Sequence, residues 1–262
     1  MNIALLRNGR IRLVAGVALA GAVLFCVLPP LAQPEAYHHF MDDRTMLGIP
    51  SCLNVLSNAP FAVVGLMGLW FLRKRPVAED GGRFVEDRER WPYAVFFLGA
   101  FLTCFGSGYY HWLPNDPTLV WDCLPMTLAF MGLLSAMIAE RIDVRTGLWL
   151  LWPLVAMGAG TVWWWRWTGN LWPYAGAQYF SIIIIGLLMA LFPPRYTRSL
   201  DLICVTGFYA VAKVFEAADR PVSSLTGGIV SGHTIKHLAA ALAVYWVLRM
   251  LSLRTALPQG AR

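Results

Sequence analysis

The stretch GHTIKHLAAALAVYWVLRMLSL, residues 232–253, decides the fold. A helix needs about 20 mostly apolar residues to cross the hydrocarbon core of a bilayer, and this run has that length. Only His233, Lys236, His237 and Arg249 interrupt it with ionisable groups. Working outward from it, seven further apolar blocks of similar kind stand between polar breaks, at residues 13–31, 52–72, 91–112, 120–139, 147–165, 172–192 and 200–215. The block at 200–215 is the shortest and contains Lys213. Hydrophobic residues make up 58% of the 262, charged residues only 14%, and the mean hydropathy is +0.55, which together exclude an ordinary soluble domain. The expected fold class is therefore all-α, a polytopic membrane helical bundle.

Lys and Arg collect on the cytoplasmic side of short loops, so the basic residues orient the bundle. With the N-terminus inside, sixteen of the 21 basic residues fall in inside segments: Arg7, Arg10, Arg12, Arg73, Lys74, Arg75, Arg83, Arg88, Arg90, Arg141, Arg145, Arg195, Arg198, Arg249, Arg254 and Arg262. The outside segments hold only Arg44, Arg166 and Arg220, and Lys213 and Lys236 lie within apolar stretches. Eight spans with both termini inside are expected. The net charge of +6 then reads as topology, and no basic aromatic motif points to nucleic acid. Arginines ahead of an apolar core that ends near Pro29, Pro30 and Ala32 also resemble a signal peptide, although the apolar length favours an uncleaved helix.

A single domain over residues 1–262 is expected, with 1–32 as an additional N-terminal helix or signal-like segment and 43–253 as a seven-helix core. The longest inside loop, 73–90, mixes charges with Gly81 and Gly82 and reads as a solvated connector. The outer segment 33–51 is acidic, with Glu35, Asp42 and Asp43 beside His38 and His39. Trp91, Trp112, Trp121, Trp149, Trp172 and Trp246 fall near helix ends, as an aromatic belt requires. Cys52 and Cys123 lie near outer ends, but no paired spacing argues for a disulfide, and buried thiols are expected.

Ionisable groups in or at the end of a span are functional candidates because hydrocarbon makes them costly. Ser107 and His111 are four apart at the end of the third span and share a helix face. Asp122 opens the fourth span after a short loop and should lie near His111. His233 and His237 share a face of the eighth span at a spacing that can bind one metal ion. That pair alone is more often a capping and packing pair. Topology changes the balance, because His111 ends an outward helix and His233 begins an inward one, so all three land in the same leaflet. Three imidazoles and one open position suit a catalytic Zn2+, which lowers the pKa of a bound water to about 7. In that reading Asp122 is the general base and acid, and Ser107 donates to the developing oxyanion. Lys213 and Glu216 read as an ordinary helical ion pair with Asp219 nearby, and Asn54, Ser57 and Asn58 as polar helix contacts.

The ordered stretches Gly106-Ser107-Gly108-Tyr109-Tyr110-His111, Trp121-Asp122-Cys123-Leu124-Pro125-Met126 and His233 to His237, with Asn54-Val55-Leu56-Ser57-Asn58, resemble the alkaline ceramidase family of integral membrane zinc-dependent amidases, in a bacterial-type form. The resemblance covers the chain from about Asp43 onward. It implies a seven-helix core, zinc on His111, His233 and His237, Asp122 as acid/base, Ser107 as oxyanion donor, and hydrolysis of ceramide to sphingoid base and fatty acid. Eukaryotic members carry a calcium (Ca2+) site with a carboxylate three residues before the position of Asn54, where this chain has Ser51; Asp42 and Asp43 leave a partial acidic cluster. The expected partners are a membrane lipid substrate and the bilayer, the expected location a bacterial inner membrane with the site toward the periplasmic face. The competing reading is a receptor-like or transport protein that binds lipid or metal at the same histidines without turnover.

Overall fold

Asn115 begins the helix that organises the bundle. Its side chain accepts the Thr118 N–H while Thr118 answers to the Asn115 backbone, a reciprocal cap that starts the helix four residues ahead of the apolar run. The computed structural model describes residues 3–74 and 83–258, side chains at 3–6 and 26 excepted; Arg75, Gly81, Gly82 and Arg262 lie outside the described residues. It is all-helical. The elements are α1 (Ile3–Val27), α2 (Cys52–Leu56), α3 (Ala59–Arg73), α4 (Arg90–Trp112), α5 (Asp116–Arg141), α6 (Val144–Thr168), α7 (Trp172–Ala175), a π turn (Gly176–Phe180), α8 (Ser181–Leu191), α9 (Asp201–Ala217), α10 (Asp219–Leu225) and α11 (Gly232–Leu253). Among the described residues seven helical segments are long and apolar enough to cross a membrane.

The expected block at 200–215 is the exception. It forms α9, 17 residues long, which at 1.5 Å per residue rises about 26 Å against a hydrocarbon core of about 30 Å. Yet α9 runs antiparallel to α11 along most of its length. Arg249 approaches Asp201 at 3.6 Å near one end, and Lys236 donates to Glu216 at 2.6 Å near the other. Two expected boundaries also move. The first helix stops at Val27, before Pro29 and Pro30, and the second block breaks at Ser57 and Asn58 because Pro60 stands at the start of α3.

The central element is α5, with 72% of its best apolar window buried, whereas α1 at 11% is peripheral. Phe25 of α1 touches Trp172 and Phe180, with ring centroids 6.1 and 6.0 Å away. The α4–α5 pair is tighter. Pro125 cannot donate to the Trp121 carbonyl four residues earlier, and that carbonyl faces Gly106, where any Cβ would collide with it. At Gly99 a Cβ would meet the Ala129 nitrogen at 2.6 Å. Glycine at these positions lets the two backbones close up, which sets the end of α4 beside the start of α5.

The opposite end of the bundle is closed by a buried polar network. The Arg254 guanidinium pairs with Glu140 and stacks 3.9 Å from the Tyr196 ring centroid, while the Tyr196 hydroxyl donates to Glu89 at 2.6 Å. Trp91, Trp149 and Trp121 are exposed, consistent with rings placed at a membrane boundary.

Candidate metal centre

His111, His233 and His237 converge, with one ligand atom from each within 4.8 Å of the others, and all three side chains are buried. Nε2 of His111 and Nε2 of His233 stand 3.2 Å apart. Their ring centroids are 4.7 Å apart, and each lies 4.8 Å from that of His237. The group can hold a metal ion.

The start of α11 is fixed by its neighbours before any metal is considered. The Ser231 side chain caps the helix by accepting the Thr234 N–H at 3.1 Å. Ser231 and Thr234 hydroxyls both donate to the Asn54 side-chain carbonyl, at 3.2 and 2.9 Å, tying α11 to α2. The His233 N–H donates to Asp219 at 2.8 Å, and the other Asp219 oxygen accepts the Met41 N–H at 3.0 Å. Thus Asp219, read from sequence only as a neighbour of Lys213 and Glu216, holds the backbone of a histidine.

Ser57 orients His237. Its hydroxyl has one proton, and the Asn54 carbonyl accepts it at 3.0 Å. With that proton spent, the Nδ1 of His237, 2.7 Å away, donates to Ser57, a tautomer that leaves the lone pair on Nε2 for a metal. Ser57→Ala is expected to weaken metal affinity about 10–100-fold while the protein still folds. Chelator competition on the purified protein measures this, and unchanged affinity would remove the orienting role.

Ser107 and Asp122 are buried and line, with His237, a cavity of about 170 Å³. Lys213, Glu216 and Lys236 border the same cavity. Glu216 pairs with both lysines, and the Lys236 ammonium also approaches Nε2 of His233 at 3.3 Å. Glu216 thus holds both lysines on the wall of the cavity that Asp122 also lines. The sequence showed Lys213 beside Glu216 but not Lys236, because that meeting depends on α9 packing against α11.

The chain before α2 forms a strap over this end. The ring of Phe40 lies 4.6 Å from His111 and 4.5 Å from His233, between centroids. The Tyr37 hydroxyl donates to Glu216 at 3.2 Å, and burial pushes its pKa well above the ordinary value, so it remains a donor. His38 shares hydrogen bonds with Tyr110 at 2.9 Å and Asp116 at 3.0 Å. Asp42 accepts the Leu53 and Asn54 N–H groups at 2.9 and 3.1 Å and pairs with Arg44 at 3.1 Å. Its oxygens serve as the cap of α2, whereas Asp43 is exposed. Cys52 and Cys123 are buried free thiols, as expected.

The three histidines therefore come from two distant helices, α4 and α11, held by hydrogen bonds from α2 and the start of α10. No protein-family model matches the chain, and no curated protein matches it in sequence.

Proposed function

We propose that the chain is a membrane-embedded, zinc-dependent amidase that cleaves the amide bond of a ceramide-like lipid into a long-chain amine and a fatty acid. The observation that carries this reading is the histidine cluster beside a polar cavity that runs into an apolar one. Three imidazole nitrogens gathered within 4.8 Å are a donor set of the kind that zinc takes, and the His111–His233 pair already has a suitable separation. Two nitrogens bound at about 2.0–2.1 Å in tetrahedral geometry stand roughly 3.3 Å apart, close to the 3.2 Å between His111 and His233.

When bound, zinc supplies Lewis acidity toward an amide carbonyl and lowers the pKa of a coordinated water to about 7. Asp122 then takes a proton from the attacking water and returns it to the amine that leaves. Ser107 donates a hydrogen bond to the carbonyl oxygen as charge develops there. Lys236, tied to Glu216 at 2.6 Å, places a cation on the wall of the cavity that Asp122 also lines. Phe40 covers the outer side of the histidines and limits access of bulk water.

The second cavity, about 130 Å³, is lined almost wholly by apolar side chains. It shares Phe61, Thr103, Met126, Tyr209 and Ala240 with the polar one, so a single amphipathic ligand can span both. The Tyr209 hydroxyl is buried at this junction with no partner among the described residues and suits a polar group of the substrate. Ile182 and Ile185 of α8 face Leu202 and Val205 of α9 across the apolar cavity, and α8 packs on α5 while α9 packs on α11. The seam between α8 and α9 is the proposed entry for a lipid chain.

The remaining assignments follow from the charges. Counting α9 as a crossing makes eight spans with both termini inside, and in a bacterial inner membrane the histidine end then faces the periplasm. The motif resemblance to alkaline ceramidases supports the amide as the scissile bond. Purified protein in nanodiscs, incubated with ceramide, is expected to release fatty acid and sphingoid base in a chelator-sensitive manner, read by mass spectrometry. Ceramide bound but never cleaved would favour the receptor-like alternative.

A further inference from the structure

At the end of the bundle away from the histidines, Arg7, Arg10, Arg141 and Arg195 line a cavity of about 470 Å³. It lies between the first turns of α1, the end of α5 and the segment after α8. Among the described residues Glu140 is the one carboxylate in its wall, and it is already paired with Arg254. Arg141 is 8% exposed and spends one donor on the Phe192 carbonyl, at 2.7 Å. Arg7 reaches from α1 to the Ile142 carbonyl at 2.6 Å. Among the described residues no carboxylate pairs with Arg7, Arg10 or Arg141. Arg195 stands 3.6 Å from Glu89 and 3.8 Å from Glu86, and its buried Nε has no partner among the described residues.

Capping of helix ends explains one donor on Arg7 and one on Arg141, and it leaves the others unused. A guanidinium carries five N–H donors in a fork that matches phosphate oxygens. Ala139, Ile142, Phe192 and the two prolines after it add apolar wall beside these donors. Arg141 closes a membrane-length helix, so the cavity sits at the depth of lipid headgroups in the proposed topology. We propose that this cavity binds a phosphate oxyanion carried by an anionic phospholipid, and that the bound lipid docks the peripheral helix α1 onto α5 and α8. It rests on the membrane reading and is independent of any hydrolytic activity.

The test is native mass spectrometry of the full chain titrated with phosphatidylglycerol, with phosphatidylcholine, and with phosphatidylcholine plus inorganic phosphate. Arg7→Gln/Arg10→Gln is compared with the charge-matched Arg12→Gln/Arg145→Gln, whose two arginines are exposed and outside the cavity. Selective binding of phosphatidylglycerol is expected, weakened roughly tenfold or more in the first variant and unchanged in the second. Thermal unfolding of each variant confirms that it is folded. Equal loss in both variants, or no preference over phosphatidylcholine, overturns the proposal. Arginine-dependent binding of inorganic phosphate without phosphatidylglycerol binding assigns the cavity to a soluble anion and overturns the lipid form.

Discussion

His237→Ala is expected to remove bound metal and hydrolysis together. Two imidazoles on different helices would remain, and Ser57 would lose the partner that now fixes the ring. A site reduced from three protein ligands to two cannot hold zinc in the tetrahedral arrangement with one open position. Losing Lewis acid assistance costs several kcal/mol in the transition state, so turnover should fall on the order of a thousandfold or more. The substitution also opens a buried space, so thermal unfolding must accompany the kinetics. Full metal content with normal turnover in the variant would exclude His237 as a ligand. Normal folding with metal and activity both lost is the expected outcome.

Asp122→Asn is the second large effect and separates chemistry from binding. The amide keeps the shape of the carboxylate and can still accept a hydrogen bond, but it cannot take a proton from water. Asp122 stands outside the three-histidine group, so zinc content should stay at the wild-type level. Turnover should fall about 10²–10⁴-fold, the usual contribution of a positioned acid/base group. Substrate affinity should change little, because the lipid chain is proposed to lie mainly in the apolar cavity. Unaltered turnover would remove Asp122 from the mechanism, and loss of zinc would make it a structural support of the site instead.

These two residues were legible in the sequence for a simple reason. Each sits at the end of a long apolar run, where an ionisable group is costly, and topology brings those ends to one side of the membrane. Ser107 and His111, four apart on α4, were legible by the same periodicity. The span lengths were also readable, since a bilayer imposes them, and α11 runs from Gly232 to Leu253 as read. Local polar chemistry moved other boundaries. Asn115 starts α5 ahead of its apolar run, and Ser57 and Asn58 interrupt the second block.

What the sequence could not show depends on packing between distant elements. Lys236 reads as a charge inside an apolar helix until Glu216 arrives from α9. Phe40 lies in an irregular strap with no periodicity, yet its ring covers two of the histidines. Ser57 reads in the sequence as a polar helix contact, and the signal for a larger role is its place in the Asn54-Ser57-Asn58 set on the opening turns of a span. Asp42 reads in the sequence as part of a partial acidic cluster, and in the fold its oxygens meet backbone N–H groups of α2 and the Arg44 guanidinium.

The most direct measurement is elemental analysis of the purified, folded wild-type protein alongside His111→Ala. About one zinc per wild-type chain, absent from the variant, is the expected result. A folded wild-type protein that hydrolyses the lipid amide without any bound metal would contradict the central claim.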